Sequence, residues 1–152
     1  MALAVLGLVA ASSIYTLFSA NRYAATQRVV SAAKALCQER IDQALTDSLT
    51  SSNVAPLFGG AWPLPTAETL ITTETVPLYV TEENTDTALI SGTRKTWVTA
   101  FTPVAANPAF VFARVRVRVE FWDHGRGVGN KKSTEVGAQP LFYEMTTLRS
   151  PD

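Results

Sequence analysis

MALAVLGLVAASSIYTLFSA (residues 1–20) runs without a break into NRYAATQRVVSAAKALCQERIDQALTDSL (residues 21–49), and how these two stretches join decides the fold. The first stretch carries no charged side chain; the first to follow is Arg22. As a helix, twenty residues rise about 30 Å, the thickness of a bilayer's hydrocarbon core. A signal peptide would show a basic start, a shorter apolar core and a small-residue cleavage site. Here the apolar run starts at residue 1 and passes into strong helix formers with no Pro or Gly in 21–49. One continuous helix over 1–47 is therefore predicted.

Its two parts differ in pattern. In 1–20, Ala2, Leu3, Val5, Leu6, Gly7, Leu8, Val9, Ile14, Leu17 and Phe18 make a surface apolar on all sides, suited to a membrane or to the core of a filament. In 21–47, Val29, Val30, Ala33, Leu36, Cys37, Ile41 and Leu45 recur at three- and four-residue intervals as one stripe. Arg28, Lys34, Gln38, Glu39, Arg40 and Asp42 are assigned to the other faces. The expectation is a stalk whose rear half lies on a head.

Residues 48–74 shift to Ser, Thr, Pro and Gly. In SSNVAPLFGGAWPLPTAETL (51–70), Gly59-Gly60 and prolines 56, 63 and 65 predict a long connecting loop. The head is placed in 75–152. TVPLYVTE (75–82) and TALISG (87–92) are weak strand signals, and TRKTWVTAFTPV (93–104) is a better one. AFVFARVRVRVEFWD (109–123) is the strongest, because Val111, Ala113, Val115, Val117, Val119 and Phe121 alternate with polar or aromatic residues. HGRGVGNKK (124–132) reads as a turn and PLFYEMTTLRS (140–150) as a last strand. The predicted class is α+β: a long N-terminal helix packed on a small C-terminal antiparallel sheet of about four strands. Val115, Val117 and Val119 are expected to meet the helix stripe.

Thirteen basic and thirteen acidic residues leave zero formal net charge. That removes the usual electrostatic basis for binding nucleic acid. One cysteine, Cys37, excludes a disulfide within the chain and a cysteine-built zinc site, and one histidine, His124, argues against a histidine-built metal site. No cofactor is expected.

The uncharged opener running into NRYAATQRVVSAAKALCQERIDQ, the Ser/Thr/Pro/Gly-rich loop and the small final sheet together resemble a type IV pilin or pseudopilin. VRVRVEFWDHGRG with MTTLRS near the end is similar to the strand-turn-strand finish of pseudopilin-like chains. The resemblance covers the whole chain in architecture. It implies a non-enzymatic subunit that waits in the bacterial inner membrane, engages a pilus assembly machinery and polymerises with copies of itself into a surface filament. A minor pseudopilin of a type II secretion or DNA-uptake machine shares the architecture, and a membrane-anchored binding domain that never polymerises is the third reading. Members of the family usually carry a glutamate a few residues from the mature N-terminus, after a glycine-ended leader. Val5 occupies that neighbourhood here, so the mature protein is expected to start some residues before Met1.

Candidate chemistry is sparse. Asp123-His124 could orient a general base with Ser133 or Thr134 as nucleophile, but adjacent turn residues seldom build a site. GRGVG lacks the following helix of a phosphate loop. Arg114, Arg116 and Arg118 lie on one strand face about 6.7 Å apart, near the spacing of successive phosphates, beside Phe112 and Trp122. Zero net charge favours instead an outward face paired with carboxylates. Cys37 is read as a small buried hydrophobe. Glu39, Arg40 and Asp42 are candidates for ion pairs between subunits, Gly7 for a point where the helix loosens on assembly, and residues 46–52 and 72–75 for surface glycans.

Overall fold

The computed structural model describes residues 2–50, 52–81, 84–102, 111–122 and 140–152, with the side chains of 2–5, 22, 79–81 and 84–89 outside that description. Helix α1 spans Ala2–Thr46, so the two stretches do form one 45-residue rod, close to 68 Å long at about 1.5 Å per residue. A minimal hairpin follows, β1 (Leu49–Thr50) with β2 (Asn53–Val54), then a 3-10 turn over Pro56–Phe58. Strands β3 (Thr69–Thr81), β4 (Asn84–Phe101), β5 (Phe112–Phe121) and β6 (Leu141–Arg149) form one antiparallel sheet in sequence order. The α+β class and the four-stranded antiparallel sheet are as expected.

The period-2 pattern of β5 sorts its side chains cleanly. Ala113, Val115, Val117, Val119 and Phe121 are buried, while Arg114 is exposed and Arg116 and Arg118 half-buried. The buried face meets Val29, Ala33, Cys37, Ile41 and Ala44 of α1, with Val30 and Leu36 packed at its margin. Cys37 is fully buried and its thiol lies 3.6 Å from the Tyr143 carbonyl oxygen; burial pushes that thiol above its ordinary pKa.

Several expectations need correcting. Leu45 is 41% exposed, and Ala44, fully buried, closes the stripe instead. At 100° per residue, position 44 continues the line through Cys37 and Ile41, and position 45 has turned past it. Arg40 also belongs to the sheet-facing side, not to the solvent faces. Within 48–74, β1, β2 and the 3-10 turn are regular structure, and the strand expected from residue 75 begins at Thr69. Leu57, Phe58 and Leu64 of this connection are buried in the core. The sequence obscured the start of β3 because the pairing register shifts between Leu70 and Thr72, breaking the alternation.

TALISG and TRKTWVTAF belong to one strand, β4, running through Gly92. A β-carbon at Gly92 would stand 2.8 Å from Leu78 Cδ1 and 2.9 Å from the Glu120 carbonyl oxygen. This glycine marks a close approach inside the sheet rather than a turn. The expected turn 124–132 and the residues Asp123, His124, Ser133 and Thr134 lie outside the described residues.

Candidate functional site

Three features stand out on this scaffold: the clasp between helix and sheet, the outer face of the sheet, and the uncovered front of α1.

The clasp forms because β4 turns Arg94, Thr96 and Val98 toward the helix while Thr93, Lys95 and Trp97 face out. Glu74 on β3 pairs opposite Arg94 in the sheet register. Its carboxylate accepts from Arg94 Nη2 at 2.6 Å and Nε at 3.1 Å, and from Arg40 Nη2 of α1 at 2.9 Å. Arg40 also donates to Thr72 Oγ1 at 3.1 Å and to Gln43 Oε1 at 2.7 Å. Both guanidinium side chains are only 11% exposed. The Arg94 hydrogen bonds, with the charge of Arg40, hold the Glu74 carboxyl below its ordinary range, and burial pulls Arg40 below its own, against the pull of Glu74. Arg40 is thus committed within its own chain rather than available to another subunit.

A second fastener joins the ends of the head. Arg149 donates to the carbonyl oxygens of Leu45 and Asp47 at the C-terminus of α1, and to the Asp152 carboxylate. Asp152 in turn accepts from the Leu49 amide at 3.0 Å. The last turn of α1 has no basic residue of its own, so β6 supplies the positive charge that favours a helix C-terminus.

On the outer face, the arginine row of β5 is already partnered. Arg116 pairs with Glu68 at 2.6 Å and Glu144 at 3.3 Å, and Arg118 with Glu144 at 2.7 Å. Lys95 pairs with Glu120 at 2.6 Å. The guanidiniums also stack on rings: Arg116 lies 4.3 Å from the Trp97 centroid, Arg118 4.4 Å from that of Phe142, and Arg114 4.6 Å from that of Phe101. A phosphate at Arg116 or Arg118 would have to displace a carboxylate. Only Arg114 of the three is exposed and makes no ion pair among the described residues.

The front of α1 is different in kind. From Leu6 to Ala24, every residue whose side chain is described is exposed. Leu6, Leu8, Tyr15, Leu17 and Phe18 each expose between 66% and 75% of their surface, with Val9 and Ile14 above half. Ala2, Leu3 and Val5 belong to the same helix, but their side chains lie outside the described residues. Gly7 sits within unbroken helix, with open space where a β-carbon would stand. The hydroxyls here turn inward on the helix itself: Ser12 and Ser13 donate to the Val9 carbonyl oxygen at 2.9 Å, and Thr16 to that of Ser12 at 2.8 Å. None of these three donors needs water once the surface is covered. Among the described residues no helix is long and apolar enough to cross a membrane. Nor is any group of three or more His, Cys, Asp or Glu placed among them to hold a metal ion.

Neither a protein-family model, nor a curated protein, nor a solved structure matches this chain.

The stripe, the valine face and the apolar front are legible in the sequence; the Arg40–Glu74–Arg94 clasp, the Arg149 fastener and the burial of Phe58 are not. One signal was present for the clasp, since at 100° per residue Arg40 falls between Val29 and Ala33 on the inward arc of the helix. The others join residues far apart in sequence, and no local pattern marks them.

Proposed function

We propose that this chain is a structural subunit of a type IV pilus-like filament, polymerising through the front half of α1. The observation that carries the reading is an unbroken helix, continuous with the head, whose leading half is apolar on every side and exposed at every described side chain from Leu6 to Ala24. An exposed apolar surface of that length calls for a partner. Because it runs all round the helix, one flat neighbour cannot cover it, whereas a bundle of like stalks can. Small residues among the large ones, Ala10, Ala11, Ser12 and Ser13, let such stalks approach closely. A contact between two different patches, repeated from copy to copy without closing, builds a helical fibre. The heads then form the filament surface. Before assembly the subunit resides in the inner membrane and is handed on by a pilus assembly machinery.

The role needs no catalysis. A reconstruction by cryo-electron microscopy of filaments from cells expressing the chain tests it. The expected map has a core of packed α1 helices and an outer layer of four-stranded heads. Recovery of the chain only as a monomer in membrane fractions would sink the polymer reading and favour an anchored binding domain.

A further inference from the structure

Three exposed charges of α1 share one arc, while the exposed Lys34 stands about 120° away from it. Arg28, Glu39 and Asp42 all stand on the side away from the sheet, and all three are exposed. At 100° per residue they fall within about 60° of one another. Among the described residues Arg28 has no ion-pair partner. Glu39 is 67% exposed at its side chain and meets Arg94 only at 3.5 Å, and Asp42 accepts a hydrogen bond from Gln38 Nε2 at 2.8 Å. Toward the N-terminus the same arc continues through Ala24, Leu17, Ile14 and Leu6, all exposed. The arc is therefore apolar in front, basic at its centre and acidic behind.

Such an arc cannot match an unshifted parallel copy, because Arg28 would face Arg28 and the acids would face the acids. An antiparallel pair would join the charges but send the two apolar fronts apart, leaving both uncovered. A parallel copy displaced along the axis satisfies both demands. Glu39 and Asp42 lie eleven and fourteen residues beyond Arg28, a displacement of about 16–21 Å at 1.5 Å per residue. We infer that α1 docks a second copy of this chain in parallel with that axial stagger, Arg28 of one copy pairing with Glu39 and Asp42 of the next. The inference rests on the filament reading and adds its register. Arg28 and the two acids stand at different heights along that arc, so a copy that has paired its Arg28 still holds unpaired acids for the next, and the contact propagates.

Charge reversal tests it on the full chain. The protein is dialysed out of detergent, with pelletable polymer and negative-stain images as readouts. Arg28→Glu alone and Glu39→Arg/Asp42→Arg alone are each expected to lose polymer by about tenfold or more, because like charges then meet at the contact. Mixed in equal amounts, the two variants are expected to regain filaments, since copies can alternate with every junction matched. Restored dimers without filaments would indicate the antiparallel pairing and overturn the stagger. Single variants that polymerise as the wild type does, or a mixture that stays as poor as its components, would overturn the charge register while leaving the filament reading intact. A wild-type chain that never polymerises would remove both. Milder variants guard against misfolding: Arg28→Gln polymer is expected to respond less to added salt than wild-type polymer, and an equal response counts against the pairing.

Discussion

The front and rear halves of α1 draw on a similar set of apolar and small residues, yet among the described residues the sheet covers the rear and nothing covers the front. In the rear, Val29, Ala33, Cys37, Ile41 and Ala44 sit on one arc, and one sheet buries them. In the front, Leu6, Leu8, Val9, Ile14, Leu17 and Phe18 are distributed round the axis and remain exposed. A stripe specifies a single flat partner. A cylinder specifies a set of partners, and the four-stranded sheet is already spent on the rear half. The angular spread of apolar residues on a helix thus indicates how many neighbours it needs. Average hydrophobicity carries no such information.

That contrast can be broken most directly by removing residues 1–24. Filament formation is expected to vanish completely. The head should still melt cooperatively, with Tm moved by no more than about 2–4 °C, because every described side chain of residues 6–24 is exposed. A head that fails to fold after this truncation would show that the front stabilises the subunit, and the division into halves would be wrong.

The next test compares two phenylalanines. Phe58 is fully buried, although it lies in the connection between helix and sheet, and Phe18 is 66% exposed. Phe58→Ala should cost about 3–5 kcal/mol of unfolding free energy. Phe18→Ala should leave denaturation of the monomer within about 0.5 kcal/mol while weakening polymerisation. Equal stability losses in the two variants would erase the distinction.

Glu74→Gln probes the clasp that fixes the rear half to the sheet. It leaves two largely buried guanidiniums without their shared anion, at a cost of about 2–3 kcal/mol once the one-third exposure of Glu74 is allowed for. The pH dependence has a definite sign. The folded carboxyl is held below its ordinary value of 4.5. Its contribution is therefore fully present above that value and is lost as pH falls through the depressed folded pKa. The Tm gap between wild type and Glu74→Gln should be widest near neutrality and shrink under acid. A gap that grows on acidification would contradict the assigned partners.

Gly92→Ala should have the smallest effect, about 1–2 kcal/mol, because the new methyl group would overlap Leu78 and the Glu120 carbonyl. The Leu78 side chain can give way where the backbone cannot. An unchanged Tm would mean that β4 and its neighbours relax more freely than their spacing suggests.

How much of this could be read in advance follows from the range over which each feature is encoded. The rod, its rear stripe and the inward valines of β5 are local periodicities, and each was legible. The span of β4 was not, since a glycine that marks a close backbone approach looks the same in sequence as one that marks a turn. The start of β3 was hidden by a register shift at Leu70–Thr72. The arginine row of β5 was visible as a row, but its carboxylates come from Glu68, Glu120 and Glu144, and the long-range members required the sheet register to find.

By itself, the sequence determined that this protein is a long helix followed by a small sheet, because periods of 3.6 and 2 are written residue by residue. Tertiary structure alone decided which charges are spent inside the subunit. Arg40, Arg94 and Glu74 meet only when α1 lies across β3 and β4, and Arg149 reaches the end of α1 only because β6 runs beside it. Pairing of this kind depends on distance in space, and a chain whose partners are 20 to 104 residues apart does not display that distance along its length.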